Sequence, residues 1–170
     1  MHLIVDIDGT LSDHSHRWHL IDKPDAQQSD WDAFLEPELV AKDPPFPLAQ
    51  KAMERLIKYA ASIRFLTGRQ EQLRDVTVAW LYKHFGIAPG LNELLMRPTG
   101  EQSTATEHKG GILRNRTSQE VIRTWPLILV DDDPYILHLY AEFGLAIKAP
   151  ECWELLVHDQ PLTKEPLFNK

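Results

Sequence analysis

Three short polar clusters in this 170-residue chain carry residue types that can do chemistry together: Asp6-Ile7-Asp8, Thr67-Gly68-Arg69 and Asp131-Asp132-Asp133. Asp6 and Asp8 stand two residues apart where the apolar run Leu3-Ile4-Val5 breaks into Gly9-Thr10. Residues two apart in an extended segment point the same way, so the spacing predicts two carboxylates converging on one spot. They repel unless a cation or a proton comes between them. Asp131 and Asp132 follow a second apolar run, Leu127-Ile128-Leu129-Val130, where an uncompensated acid is costly. Three or four acidic oxygens meeting at one place suit Mg2+, a hard cation that takes oxygen ligands. Asp133 fits better as the N-cap of a helix opened by Pro134. Thr67-Gly68-Arg69 adds a hydroxyl, a backbone that lets a ligand come close, and a guanidinium that forks onto phosphate. Those are the parts of a phosphate cradle.

The surrounding elements must bring these clusters together. The pattern predicts a buried strand over His2–Asp8 and a second over Ser62–Leu66, broken by Thr67-Gly68-Arg69. It predicts a short strand over Glu93–Met96, a fourth over Leu127–Val130 and a last over Leu145–Lys148. Between them fall a helix after Pro44-Pro45-Phe46-Pro47 with Leu48, Ala52, Leu56 and Tyr59 on one face. A second runs over Gln70–Phe85 with Leu73, Val76 and Trp80 on one stripe, stopped by Gly86. A third, weakened by Gly110-Gly111, lies within residues 105 to 124. The fourth runs from Pro134 to Phe143, with Gly144 as its stop. Strands alternating with helices imply an α/β, Rossmann-like parallel sheet covered on both faces. In such sheets ligands sit beyond the carboxyl ends of the strands where strand order reverses. All three polar clusters fall at strand carboxyl ends. Residues 11–46, rich in His, Trp, Asp and Pro, are expected as a loop-rich insertion with short helices at most, inside a single domain spanning residues 1–170.

Composition narrows the class. The chain is 43% hydrophobic and 25% charged, typical of a soluble globular protein. No stretch approaches the roughly 20 apolar residues of a membrane span, and the N-terminus lacks a signal-peptide pattern, so a cytoplasmic protein is expected. One cysteine, Cys152, excludes an internal disulfide framework and a multi-cysteine metal site. Residues 1–43 hold ten acids and three bases, which accounts for the whole net charge of −7. An acidic front disfavours stable binding of duplex nucleic acid and suits a site that collects a cation.

Asp6-Ile7-Asp8-Gly9-Thr10, Phe65-Leu66-Thr67-Gly68-Arg69, a later lysine and Val130-Asp131-Asp132-Asp133 resemble, in order, the four motifs of the haloacid dehalogenase (HAD) superfamily. Within it the chain most resembles the 3′-phosphatase half of bacteriophage polynucleotide kinase-phosphatases and their stand-alone phage and bacterial relatives. The supporting stretches are Ser15-His16-Arg17-Trp18-His19, Asp30-Trp31-Asp32, Leu94-Leu95-Met96-Arg97-Pro98 and Glu151-Cys152-Trp153. The resemblance implies a HAD-like sheet with residues 11–46 as a small cap, and a Mg2+-dependent phosphomonoesterase working through an aspartyl-phosphate. It implies Asp6 as nucleophile and Asp8 as the acid and then the base. Thr67 and Lys109 would hold the transferring oxygens. Mg2+ would sit on Asp6, the backbone carbonyl of Asp8 and the pair Asp131 and Asp132, one as direct ligand and the other as its support. Arg17 and Arg69, with Gly68, would meet the substrate. Where the relatives carry an acid a few positions before the lysine, this chain has Ala105 and Thr106.

Each remaining candidate carries two readings. Arg17 can instead pair with Asp13 or Asp22 at the surface, and Arg97-Pro98-Thr99-Gly100 either reaches the same mouth or forms a polar turn. Trp31 stacks on a base or packs within the insertion. His14, His16 and His19 place no clear trio on one face, so zinc is disfavoured and they are expected to line the pocket mouth or pack on Trp18. Trp80, Trp125 and Trp153 read as core or helix packing. The expected substrates are nucleic-acid 3′-phosphate ends or free nucleotides, with a free 5′(3′)-nucleotidase as the alternative. A phospho-receiver domain would carry its acidic pair after the first strand, whereas here Asp-x-Asp comes first. No Gly-x4-Gly-Lys-[Ser/Thr] segment occurs, so a kinase half is absent.

Overall fold

β1 (His2–Val5) is buried along its whole length, as a strand covered on both faces must be. It pairs in parallel with β2 (Ser62–Gln70) on one side and β4 (Leu127–Asp131) on the other. β3 (Leu94–Arg97) and β5 (Leu145–Lys148) extend the sheet outward, giving the order β3-β2-β1-β4-β5. The computed structural model describes residues 1–117 and 126–157. The sheet is parallel throughout, with helices on both sides, as the alternating pattern predicts.

Side-chain alternation along the strands divides the core in two. Leu3, Val5, Phe65 and Val130 face one way and pack with Met53 and Leu56 of α4 (Ala49–Tyr59), Trp80 and Leu81 of α5 (Arg74–Phe85), and Trp153 of α8 (Cys152–Val157). Ile4, Leu66 and Leu129 face the other way, onto Leu113 of α6 (Ala105–Thr117) and Ile136 and Leu139 of α7 (Pro134–Tyr140). The chain winds outward from β1 through β2 to β3, then crosses back to β4. That reversal opens a crevice at the carboxyl ends of β1 and β4, where Asp6 and Asp131 lie.

The insertion supplies α1 (Ser15–Trp18), α2 (Gln28–Phe34) and α3 (Pro37–Val40), all short. Its two ends are pinned together. Ser12 bridges Pro45, Asp13 N–H donates to the Pro44 carbonyl at 2.8 Å, and Phe46 N–H to the Leu11 carbonyl at 2.9 Å.

Several elements depart from the pattern-based expectation, each for a local reason. β1 ends at Val5, so Asp6 and Asp8 sit in the loop beyond it, and Ile7 closes the Gly9-Thr10 turn by accepting from Thr10, Leu11 and Ser12. β2 continues through Thr67-Gly68-Arg69 to Gln70, with its pairing to β3 shifting register between Leu66 and Gln70. A 3-10 turn over Glu71–Leu73 precedes α5, which ends on Gly86 in the left-handed region at φ 68°, where glycine carries no Cβ penalty. Tyr59 is exposed, and Ala49 and Met53 take the buried face of α4 with Ala52 and Leu56. Asp133 caps α7 as expected, accepting from Tyr135 N–H at 2.8 Å. Trp125 and the end of the 105–124 segment lie outside the described residues.

Gly144 closes the turn between α7 and β5, and a Cβ there would run into the Leu127 carbonyl and lie 3.0 Å from Leu129 Cδ1. Gly144→Ala is therefore expected to lower unfolding stability by roughly 1–3 kcal/mol through overpacking, read by urea denaturation. An unchanged midpoint would show that this corner has room.

Candidate active site

Asp6 leaves the end of β1 with its N–H bonded to the Val130 carbonyl at 2.9 Å, which seats it beside the end of β4. Lys109, from the first turns of α6, donates to Asp6 Oδ1 at 2.8 Å and to Asp131 Oδ2 at 2.7 Å. All three are buried. Asp132 joins them: one carboxylate oxygen each from Asp6, Asp131 and Asp132 lie within 4.8 Å of one another. Asp132 is also steadied by the Thr10 hydroxyl at 3.3 Å, and Gly9, at φ 80°, passes so close that a Cβ would overlap its carboxylate.

The cluster holds more negative charge than one ammonium balances. Burial pushes the Asp6 carboxyl well above its usual range, Lys109 opposes this, and the charges of Asp131 and Asp132 add to it. Asp132 is pushed up to about 6 by burial and by Asp131. Burial works against the Lys109 ammonium, but Asp6, Tyr140 and Asp131 outweigh it and keep the lysine charged. Three clustered carboxylates facing one ammonium, with Asp6 and Asp132 held above their usual range, fit a hard divalent cation such as Mg2+.

Asp8 turns the other way. Arg69 donates to it through Nε and a terminal nitrogen, both at 2.8 Å, and Arg17 donates at 2.6 Å. Behind the arginines lies Asp43, buried, which accepts from Arg17 at 2.8 and 2.6 Å and from Arg69 at 3.2 Å. His16 Nε2 lies 2.8 Å from the same carboxylate. Arg17 also donates to the Phe34 carbonyl at 2.9 Å and stacks 4.1 Å over the Phe34 ring. Trp80 Nε1–H donates to the Asp43 carbonyl at 2.7 Å. Burial alone would raise the Asp8 carboxyl, but the Arg69 guanidinium, with Arg17 behind it, holds it well below the usual carboxylate range. The Asp8 side chain is thus not among the clustered carboxylates that could hold a cation.

A cavity of about 760 Å³ opens over both groups. Asp6, Asp8, Lys109, Asp131, Asp132, Gly68 and Arg69 all line it. Three expected residues, Arg17, Thr67 and Arg69, are completely buried, although Arg69 still lines the cavity. Arg17 is completely buried behind Asp8, paired with neither Asp13 nor Asp22. Thr67 is also completely buried, its Oγ1 accepting from Arg69 N–H at 3.2 Å. The continued β2 strand explains this: alternation turns Thr67 inward and leaves the Gly68 backbone facing the cavity. From the insertion, His14, Trp18, Trp31 and Phe34 form an aromatic wall with mostly edge-to-face contacts. Trp18 and Trp31 remain 46% and 44% exposed. Cys152, buried with its thiol pushed up to about 12 by burial, is no rival nucleophile.

Sequence reasoning missed Asp43. The sole signal was an acid ending the insertion next to Pro44-Pro45, and nothing in that spacing announces two arginines arriving from residues 17 and 69.

A family model described as HAD superfamily, subfamily IIIB (acid phosphatase), matches residues 1–121. No curated protein matches the chain in sequence. Among solved structures, a haloacid dehalogenase-like hydrolase family protein from Streptococcus pneumoniae is similar at a TM-score of 0.59 and 13% identity, over 86% of this chain and 83% of that one. A class C acid phosphatase from Bacillus anthracis with tungstate bound is similar at 0.52 and 14%, over 94% and 73%. A chain of the Pnkp1/Rnl/Hen1 RNA repair complex is similar at 0.55 and 21%, over 86% of this chain and 41% of that one; this chain spans about two-fifths of its length. At these identities the likeness is one of fold.

Two outcomes follow from the electrostatics. Asp43→Ala leaves Arg17 and Arg69 buried with one carboxylate between them, which is expected to cost about 3–5 kcal/mol in denaturant unfolding; a near-zero loss would mean the arginines find other partners. Asp132 has a folded-state pKa of about 6 against an ordinary 3.8. Between those values the folded chain holds a proton that the unfolded chain has released, so this group's contribution to stability falls as pH rises through that window. Thermal melts of metal-free protein across that range should show a shallower decline for Asp132→Asn than for wild type. Parallel declines would assign the titration elsewhere.

Proposed function

The chain belongs to the HAD superfamily, subfamily IIIB (acid phosphatase), and from that premise we propose that it is a Mg2+-dependent phosphomonoesterase that works through an aspartyl-phosphate on Asp6 and acts on nucleic-acid 3′-phosphate ends or on nucleotides. Membership supports phosphomonoester hydrolysis. One observation carries the assignment to these residues: Lys109 bridging Asp6 and Asp131 beside Asp132, at the floor of the cavity.

In this reading the Asp6 carboxylate attacks phosphorus in line, and the bond to the leaving oxygen breaks as the bond to Asp6 forms. Asp6, Asp131 and Asp132, with the Asp8 backbone carbonyl, would hold Mg2+, which when bound offsets the charge of the phosphoryl oxygens. Lys109 steadies Asp6 and meets those oxygens from the α6 side. The Gly68 backbone lies open to them, and Thr67 supports it through the Arg69 amide. Asp8 protonates the leaving oxygen and then takes a proton from the water that cleaves the intermediate. Gripped by two guanidiniums, Asp8 stands as a carboxylate, ready for the second half. For the first half Asp8 must take up a proton from solvent, which a phosphate dianion drawing Arg69 away from it favours. Arg69, completely buried against Asp8 and Asp43, meets substrate through that shift, and Arg17 acts through Asp8.

The aromatic wall supports a nucleotide as leaving group, since half-exposed indole faces suit a base. The likeness to a chain of an RNA repair complex points the same way. The acidic balance of residues 1–43 favours a single-stranded end or a free nucleotide over a duplex, so a free 5′(3′)-nucleotidase is the second reading. Residues 11–46 act as a small cap on a single domain.

Phosphate release from a 3′-phosphorylated oligonucleotide and from 3′- and 5′-mononucleotides, with Mg2+ and with chelator, tests this. Metal-dependent release is expected, lost in Asp6→Asn while circular dichroism and the unfolding transition persist. Release by a folded Asp6→Asn protein at the wild-type rate would remove Asp6 as the nucleophile.

A further inference from the structure

Three fully cationic side chains line the cavity: Arg69, Lys109 and Arg97. Lys109 is taken by Asp6 and Asp131, and Arg69 by Asp8 and Asp43. Arg97, the last residue of β3, forms no ion pair among the described residues, and its Nε is shut off from water without an acceptor. Of the acids four residues to either side, Glu93 accepts from Gly90 N–H at 2.9 Å, and Glu101 accepts from the Ser103 hydroxyl and lies 3.8 Å from His108 Nδ1. A guanidinium with a buried, unmatched donor is costly to leave so, and its fork fits a phosphate better than any other common anion except a carboxylate.

Position decides which phosphate. Asp6 follows β1, while Arg97 ends β3, two strands away and thus about 10 Å across the sheet. Its terminal nitrogen lies 3.8 Å from where a Cβ on Gly68 would stand, on the side of β2 away from Asp131 and Asp132. The transferring phosphoryl, seated at Asp6 and Lys109, has the Gly68 backbone of β2 on its other side, and Arg97 faces the cavity from beyond Gly68, on the β3 side. The exposed faces of Trp18 and Trp31 belong to the same cavity, leaving room for a nucleoside between the two anionic ends of a ligand.

We propose that Arg97 is the subsite for a second phosphate of the substrate, one nucleotide unit from the phosphate that is removed. The proposal rests on the nucleotide-phosphatase reading above and makes it specific: nucleoside 3′,5′-bisphosphates and 3′-phosphorylated oligonucleotide ends are preferred over nucleoside monophosphates.

The test compares thymidine 3′-monophosphate, thymidine 3′,5′-bisphosphate and a thymidine dinucleotide bearing a 3′-phosphate, in wild type, Arg97→Ala and Arg97→Lys. In wild type, kcat/KM for the two longer substrates should exceed that for the monophosphate about tenfold, mainly through KM, as a charged hydrogen bond implies. Arg97→Ala should bring the ratio near one, and Arg97→Lys should retain part of it. Because the ratio is internal to each protein, a general loss of activity does not mimic the effect. Preference for the dinucleotide alone supports a phosphodiester as the occupant, and preference for the bisphosphate alone supports a terminal phosphate. Equal treatment of all three substrates by wild type, or a ratio unchanged in Arg97→Ala, overturns the proposal. If Arg97 instead holds the phosphate being removed, the three substrates fall together in Arg97→Ala, which also overturns it. Binding of the same ligands to Asp6→Asn with Mg2+, read by tryptophan fluorescence, gives the ratio without turnover. An Arg97-dependent ratio in binding without phosphate release from any substrate would sink the phosphatase reading and leave the subsite standing.

Discussion

Carboxylates that face one another in a crevice repel, and this one gathers Asp6, Asp8, Asp131 and Asp132 at the ends of two adjacent strands, with Asp43 behind them. The protein resolves the conflict with two separate sets of cations. Lys109 stands between Asp6 and Asp131, and Arg17 and Arg69 alternate with Asp8 and Asp43. The two sets differ in completeness. The arginine set is balanced, two guanidiniums against two carboxylates. The lysine set is short of positive charge, and the raised Asp6 and Asp132 show it. Structural rigidity resides in the first and the capacity to take up a cation in the second.

The fold follows from that division. The reversal of strand order brings β1 and β4 together, so Asp6 and Asp131 meet without any long loop. α6 crosses behind with Lys109, and α8 sends Trp153 Nε1–H to the Thr10 carbonyl at 2.9 Å, bracing the turn after Asp8. The insertion is tied to the sheet by charge as well as by its pinned neck. Arg17 on α1 and Asp43 beyond α3 both belong to the arginine set, so the aromatic wall they carry is held at a fixed place relative to Asp8. In the proposed function, that link lets the grip on the leaving group and the state of Asp8 depend on each other.

Much of this was legible in the chain. The parallel sheet, the late acidic pair and the cap of α7 by Asp133 follow from local pattern: apolar runs of strand length, each ended by a polar cluster. Long-range charge pairing was not legible. Arg17 resembled a residue for substrate or a surface ion pair because its distance in sequence from Asp43 and Asp8 says nothing of their shared burial. Thr67 looked like part of a turn because Gly68 follows it, whereas the strand runs on through an irregular stretch and pairs with β3 again at Gln70. The two carboxylates of Asp-x-Asp were expected to point together by strand alternation, but the strand stops at Val5 and each is drawn to its own cation.

In the proposed function everything turns on Asp6 taking the phosphoryl group. Trapping is the most direct measurement: acid quench during turnover of a 3′-phosphorylated nucleotide with Mg2+, then peptide mass spectrometry. With Asp6 as the nucleophile, a phosphoryl mass increment appears on the peptide that contains Asp6, labile to hydroxylamine. A phosphoryl group on another residue, or efficient turnover in which no phosphorylated peptide accumulates even when the second step is slowed by Asp8→Asn, would contradict it.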